Sequence, residues 1–227
     1  MSCSVVSLRR YPVKSMGGEP LEQAEFDARG MAGDRWFAVE DDEGRFASGK
    51  DTRRFQRRDR VFAYAASTDP HGQVTVTCGD QHWRVGDPSL DGQLSADLGA
   101  AVRVTQEADV PHQDGGAVSL IGTATLEWCA ERWGGVADPR RLRANIVVET
   151  DEPFVEERWG DLEVGSVGLR VVERVPRCRT IDLTQDGAEP GSRWLKPLAQ
   201  ERDLCLAVYA EVTRPGRGAV GDQVQMV

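Results

Sequence analysis

Val171-Val172-Glu173-Arg174-Val175-Pro176-Arg177-Cys178-Arg179-Thr180-Ile181-Asp182 is the stretch on which the reading of this chain turns. Its β-branched opening predicts a strand. Pro176 has no N–H for a central ladder, so the strand ends or bulges there. Cys178 is therefore expected at a strand end, where a sheet presents side chains to a ligand. Arg177 and Arg179 flank the sulfur, and neighbouring cations favour a thiolate over a thiol. A thiolate serves as a nucleophile, a sulfur carrier or a ligand for a soft metal. The competing reading is a small buried apolar side chain, the commonest fate of a free cysteine. This stretch alone leaves both open.

Outward from it, short apolar runs bounded by turn residues dominate. Strands are expected at 4–13, 21–26, 36–40 (turning back to 45–47), 61–65, 101–104, 146–148, 161–171 and 204–212. Residues 73–78 and 81–85, joined by Gly79-Asp80, read as a hairpin, with Cys78 on the packed side beside Val74 and Val76. Leu126, Cys129, Ala130 and Trp133 share one face of a helix over 123–133, closed by Gly134-Gly135. A second short helix is expected at Pro197–Arg202. The arginine-rich segment 53–60 reads as a solvated face or connection. Residues 86–110 show only a short strand, and Cys205 is expected to alternate inward with Ala207 and Tyr209. The fold class is mostly β with a few short helices (α+β), barrel-like, in two β-rich parts, 1–108 and 109–227.

The 227 residues carry a net charge of −9, which argues against broad nucleic-acid or acidic-membrane binding. No apolar run approaches a membrane span, and Met1–Arg10 lacks a signal-peptide core, so a cytoplasmic location is the default expectation. Five cysteines with no C-x-x-C pair argue against a disulfide framework and a zinc site. The basic residues are 25 arginines and 3 lysines. Arginine grips phosphate and planar oxyanions in a bidentate fork, so a local anion site fits the acidic total. Lys14-Ser15 beside Gly17-Gly18, Arg35 at a strand start, Ser119 ahead of the helix, and Arg140, Arg141, Arg143 and Asn145 ahead of strand 146–148 are candidate donors. Each has a plainer reading as a turn or surface charge.

Taken in order, Tyr11-Pro12-Val13-Lys14-Ser15, Gly30 to Arg35, Arg143-Ala144-Asn145, Phe154, Trp159 with Gly165, and Arg177-Cys178 resemble the MOSC family. This is the family of the molybdenum cofactor sulfurase C-terminal domain, here with an N-terminal β-barrel partner domain. The chain looks similar to the amidoxime-reducing proteins. The resemblance implies a MOSC-type β-barrel, an N-terminal β-barrel-like domain and a molybdenum–molybdopterin cofactor between them. It places Cys178 as the molybdenum ligand. It places Lys14, Ser15, Arg35, Ser119, Arg143 and Asn145 around the cofactor; Arg177 is expected to help neutralise the cofactor phosphate, and Asp182, which matches the family only loosely, to carry a proton. Leu142, Ala144 and Ser48-Gly49-Lys50 depart from the family pattern, and the segment after Cys178 is shorter than in the amidoxime reducers.

The activity so implied is reduction of small N-hydroxylated molecules, with electrons from a separate ferredoxin- or cytochrome b5-like protein. The alternatives are a sulfur carrier using a Cys178 persulfide and a non-catalytic cofactor-binding module.

Overall fold

The computed structural model describes residues 3–227. The first part of the chain forms eleven strands: β1 (Cys3–Arg10), β2 (Glu19–Leu21), β3 (Gln23–Asp27), β4 (Gly30–Met31), β5 (Phe37–Asp41), β6 (Phe46–Ser48), β7 (Phe55–Arg57), β8 (Ala65–Thr68), β9 (Val74–Cys78), β10 (Gln81–Arg84) and, after helix α1 (Pro88–Leu98), β11 (Val102–Gln106). Then follow β12 (Val118–Gly122), α2 (Thr123–Trp133), β13 (Ile146–Val148), β14 (Asp161–Val164), β15 (Val167–Pro176), α3 (Leu195–Glu201), β16 (Cys205–Arg214), β17 (Gly216–Ala219) and β18 (Gln223–Met226). Among the described residues, no helix is long and apolar enough to cross a membrane.

Seven strands close on themselves in the order β13-β12-β16-β15-β14-β18-β1, with β1 returning to β13. Only the β12–β13 pair in this ring is parallel. Closure removes the free edges that an open sheet must protect. Period-2 alternation fills the barrel: Val118 and Leu120 point inward with Ile146, Val148, Leu169 and Val208. Their outward neighbours Ile121 and Val147 pack with Leu126 and Cys129 of α2. Both faces of β12 are therefore buried, which is why it reads as an unbroken apolar run. The expected helix over 123–133 and its core Cys129 are both found.

A second apolar cluster joins Val13, Val39, Val61, Phe62, Tyr64, Val76 and Val102 to Leu90 and Leu94 of α1. Around it stand the β11-β5-β6-β7 sheet and the β10-β9-β8 sheet. The expected hairpin is present, pairing Gln81 with Cys78. Two expectations fail nearby. Residues 61–65 are not a strand: Asp59–Ala63 is a 3-10 turn, and the strand starts at Ala65. Adjacent Val61 and Phe62 must both reach the core, which a turn permits and a period-2 strand does not. The 86–110 segment also holds a full helix, α1. Asp87 caps it by accepting from the Ser89 N–H at 2.8 Å, Pro88 occupies its first turn, and Gly99 ends it at φ 65°.

The early and late parts of the chain interlock. Strand β1 pairs with β13 and β18, and β17 pairs with β3. Gly30, at φ 126°, lies against the next crossing: a Cβ there would stand 2.3 Å from the Ala117 carbonyl oxygen. Gly30→Ala is expected to cost about 1–3 kcal/mol, read as a lower urea midpoint with unchanged slope. A shift below a few tenths of a kcal/mol would contradict the crowding.

The stretch from Val171 behaves as its residues demand. Strand β15 ends at Pro176, and its pairing with β16 is broken by register shifts at Val171/Glu173 and Arg174/Pro176. Such bulges bend a strand and re-aim its end. The Arg177 N–H then donates to Leu204 O at 2.7 Å, and Cys178 starts a 3-10 turn, Arg179–Asp182. Cys205 does not alternate inward as expected. Leu206, Ala207 and Val208 are buried in succession around a left-handed Ala207 (φ 71°), and Cys205 is left half-buried.

Candidate functional site

The end of β15 opens onto a cavity of about 280 Å³. Its walls come from the loop after β1 (Lys14, Ser15), Arg35 ahead of β5, the end of β6 with Lys50, the 113–116 segment ahead of β12, the Arg141–Asn145 approach to β13, and Val175–Ile181. Lys14, Ser15, Arg35, Ser119, Arg143, Asn145, Arg177 and Cys178 all line it. Residues more than a hundred positions apart in the sequence thus meet at one place.

Charge is concentrated there. Lys14, Lys50, Arg35, Arg143 and Arg177 line the cavity, with Arg141 in its wall but its guanidinium turned into the core, and among the described residues Asp114 is the one carboxylate in that wall. Lys14 Nζ donates to His112 O at 2.6 Å and to Asp114 Oδ1 at 2.7 Å. Burial lowers the Lys14 ammonium to about 8, outweighing the opposing pull of Asp114. Burial also works to raise the Asp114 carboxyl, but Lys14 and Lys50 hold it well below the usual carboxylate range. Arg35 is paired with the fully buried Asp34.

Among the described residues, Arg143 and Arg177 have no carboxylate of their own. Arg143 donates to Ser15 O (3.4 Å), Met16 O (2.7 Å) and Gln185 Oε1 (3.4 Å), and lies 4.3 Å over the Tyr11 ring. Arg177 donates to Leu206 O (2.7 Å) and Leu142 O (2.9 Å), and its buried Nη2 has no partner. Burial lowers each guanidinium to about 10. A buried charge facing only neutral dipoles is costly, and an anion entering the cavity relieves that cost. Three of the lining residues also hold left-handed backbones: Ser15 (φ 69°), Arg35 (φ 50°) and Arg143 (φ 54°). Such conformations persist where surrounding contacts over-determine them, and they gather at binding sites.

Cys178 is half-buried at the cavity wall, with Sγ 3.2 Å from Thr180 Oγ1. Val175, Ile181 and Phe62 supply apolar lining to the same cavity. Three placements differ from the sequence reading. Ser119 is not at a helix N-terminus: it lies inside β12, where its N–H and Oγ both donate to Asn145 Oδ1 at 3.1 and 3.0 Å. Asn145 and Ser119 thus fix one another as well as facing the cavity. Arg179 turns outward to Asp59 at 2.6 Å, leaving Arg177 as the arginine beside the sulfur. Asp182 is not brought to the cavity. Its carboxylate accepts from the Trp194 N–H at 2.7 Å and the Leu195 N–H at the start of α3. Lys50, Asp114 and Tyr209 are lining residues that the sequence reading did not assign to a site. The small polar loop Ser48-Gly49-Lys50 and the glycine-flanked Asp114 carried the available signal.

The MOSC domain pattern matches residues 107–225, and the MOSC N-terminal beta barrel domain pattern matches residues 2–120. The chain belongs to the MOSC family, with the mostly-β, barrel-based architecture that its residues predicted. It is 28% identical over 152 residues to mitochondrial amidoxime reducing component 2 of Rattus norvegicus, covering 61% of this chain and 45% of that protein. It is 24% identical over 244 residues to a molybdenum cofactor sulfurase of Caenorhabditis elegans, covering 93% of this chain and 34% of that one. With a Danio rerio protein of the same name the identity is 33% over 72 residues, 31% of this chain and 9% of the relative. The chain thus spans less than half the length of these curated relatives.

Proposed function

We propose that the cavity binds a molybdenum–molybdopterin cofactor, with Cys178 Sγ as the protein's ligand to the metal, and that the protein reduces small N-hydroxylated compounds. The observation that carries this reading is the half-buried sulfur on a cavity where Arg143 and Arg177 lack carboxylate partners and Arg177 Nη2 lacks any partner. The donor set fits the group: guanidinium forks and the Lys14 ammonium suit its phosphate, and a thiolate suits a soft-ligated metal. The names of the relatives, molybdenum cofactor sulfurase and amidoxime reducing component, support the same choice.

When bound, such a cofactor supplies two-electron redox chemistry at the metal. The chain's own residues do the rest. Lys14, Arg143 and Arg177 bind the anionic part, and the hydrogen bonds to Ser15, Met16, Leu142 and Leu206 carbonyls keep those cations oriented. Phe62, Val175 and Ile181 contribute apolar wall to the cavity, which lowers the local dielectric and strengthens electrostatic interactions there. The net reaction takes two electrons and two protons, breaks an N–O bond, and releases the reduced nitrogen compound and water. The electrons come from a separate ferredoxin- or cytochrome b5-like protein. The deciding experiment is elemental and pterin analysis of the chain purified from a host that makes the cofactor. Stoichiometric molybdenum with pterin is expected; a chain isolated without either sinks the reading.

Lys14 gives the binding a pH signature. A lysine whose folded-state value lies below its unfolded one leaves the unfolded chain holding more protons between about 8 and 10.5. Stability from this group therefore rises with pH across that window. Anion affinity runs the other way, because binding needs the ammonium. Pyrophosphate affinity is expected to fall up to roughly tenfold as pH rises through about 8, one charged hydrogen bond being lost. The charged neighbours Asp114, Arg35 and Lys50 and the buried His112, whose pKa burial lowers, remain in Lys14→Met, so that variant should flatten the profile in a calorimetric titration. An unchanged slope in Lys14→Met removes Lys14 from the site.

A second reading, sulfur carriage, draws on the same accessible sulfur and on the sulfurase relatives. It requires a Cys178 persulfide: the thiolate attacks the outer sulfur of a donor persulfide, its S–S bond breaks and the donor leaves as its thiol, a gain of about 32 Da on Cys178. No such adduct on the Cys178 peptide removes this reading.

A further inference from the structure

Residues 53–60 hold five arginines in a chain whose net charge is −9. The structure sorts them into two kinds. Arg54 and Arg58 are half-buried and structural. The first donates to Pro111 O and Gln113 O; the second reaches Asp41 Oδ2 (3.2 Å) and Leu98 O (3.3 Å). Arg57 and Arg60 stand out from the surface, with side chains 51% and 66% exposed, and Arg53 is exposed beside them in sequence.

The nearby carboxylates Asp51, Asp59 and Asp97 offset this face only in part, since Arg53, Arg57, Arg60 and Arg179 outnumber them. Asp59 is shared, 3.3 Å from Arg57 and 2.6 Å from Arg179. Asp97 sits 3.7 Å from Arg60, a long pair, and also accepts a 2.6 Å hydrogen bond from Tyr64 Oη. Arg57, Arg58 and Arg60 rim a shallow hollow of about 270 Å³ together with Asp59 and Asp97. A local positive face on an acidic protein fixes the orientation of an acidic partner, since the rest of the surface repels it.

Its position gives it a use. The Asp59–Arg179 pair ties this face to the residue after Cys178. Arg179 also donates to Gly49 O at 3.4 Å, and Phe62, from the same 3-10 turn as Asp59 and Arg60, lines the cavity. We propose that the arginine face around Arg57 and Arg60, tied to the Cys178 cavity through the Asp59–Arg179 pair and Phe62, is the docking site for an electron-donor protein with an acidic surface. Guanidinium forks match surface carboxylates, and docking here sets the donor's redox group beside the cavity. This partner assignment rests on the reductase reading; the face itself does not.

The test uses the full chain and two acidic electron carriers as probes, a [2Fe–2S] ferredoxin and cytochrome b5, with association followed by surface plasmon resonance. At low salt at least one carrier should bind, with an association rate that falls as salt rises. Arg57→Glu/Arg60→Glu should slow association roughly 10- to 100-fold, as loss of electrostatic steering does. Arg132→Glu/Arg158→Glu, a reversal of two similarly exposed arginines elsewhere, should change it less than about threefold because added charge far from the contact is screened. Equal rates for the two double variants, or no binding of either carrier at low salt, overturns the proposal. Molybdenum content is measured on the same preparations. Carrier binding at this face by a chain that never loads molybdenum rejects the reductase reading while the acidic-partner face stands.

Discussion

Cys178→Ala protein should fold normally and carry roughly tenfold less molybdenum than the unaltered chain, or lower still, as loss of a ligand exceeds loss of a supporting contact. Folding should survive because the sulfur fills no core. It is half-buried, it hydrogen-bonds with the Thr180 hydroxyl, and it makes no side-chain cap on the turn it starts. Cys129→Ala is the informative comparison. Cys129 is fully buried under β12, burial pushes its thiol up to about 12, and it packs with Ile121, Leu126 and Val147. That change should lower stability and leave metal content per folded chain untouched. Pterin analysis separates two contributions. If the cations hold the phosphate independently of the sulfur, Cys178→Ala retains pterin after losing metal. If both are lost together, the thiolate anchors the whole group. Undiminished molybdenum in folded Cys178→Ala would remove the sulfur from the site.

Local physics made part of this molecule readable from its residues. Pro176 ends β15 because it has no N–H to offer, and that placed Cys178 at a strand end. The 74–84 hairpin and helix α2 follow from Gly79-Asp80 and from the 126, 129, 130, 133 spacing. Helix α1 was less legible, since Gly92 and two polar serines dilute its pattern and only Leu90 and Leu94 are buried. Its signals were the Asp87-Pro88 start and the Gly99 stop. The closure of the barrel by β1 is a non-local pairing: Val5 meets Val148 across more than a hundred residues, and no local periodicity encodes the register. The same holds for the site. Lys14, Arg143 and Cys178 were named because each is a donor at a loop or strand end, and through the family pattern. Asp114 and Lys50 escaped because their roles exist only once the 113–116 segment lies over the loop after β6. Asp182 misled because an exposed-looking acid near a cysteine suggests proton transfer, whereas its nearest obligations are the orphan N–H groups opening α3.

Arg141 shows how tightly the cavity floor is tied to the core, and its loss should be severe. Its side chain is 0% exposed. Nε donates to Ile181 O at 3.1 Å, Nη1 to Pro190 O at 3.0 Å and Nη2 to Ser192 O at 2.7 Å. The guanidinium lies 3.8 Å over the Trp194 ring and 3.6 Å from Asp182 Oδ1. Burial lowers its pKa, with Asp182 the main opposing charge. One fork therefore pins the whole connection from the 3-10 turn after Cys178 to α3. Arg141→Met keeps the aliphatic volume but leaves three carbonyls and Asp182 to find other partners. Breaking such a buried set is expected to cost about 3–5 kcal/mol in urea unfolding, or a melting temperature lower by roughly 6–20 °C for a chain of this size. Arg141→Lys should not rescue it, because a single ammonium cannot reproduce three divergent donors. The damage should extend to function: with the 181–194 connection loosened, Cys178 and Thr180 lose their fixed place on the cavity wall, and molybdenum retention should fall in the fraction that still folds. A loss below about 1 kcal/mol, the worth of one ordinary hydrogen bond, would mean that the connection holds its shape without Arg141.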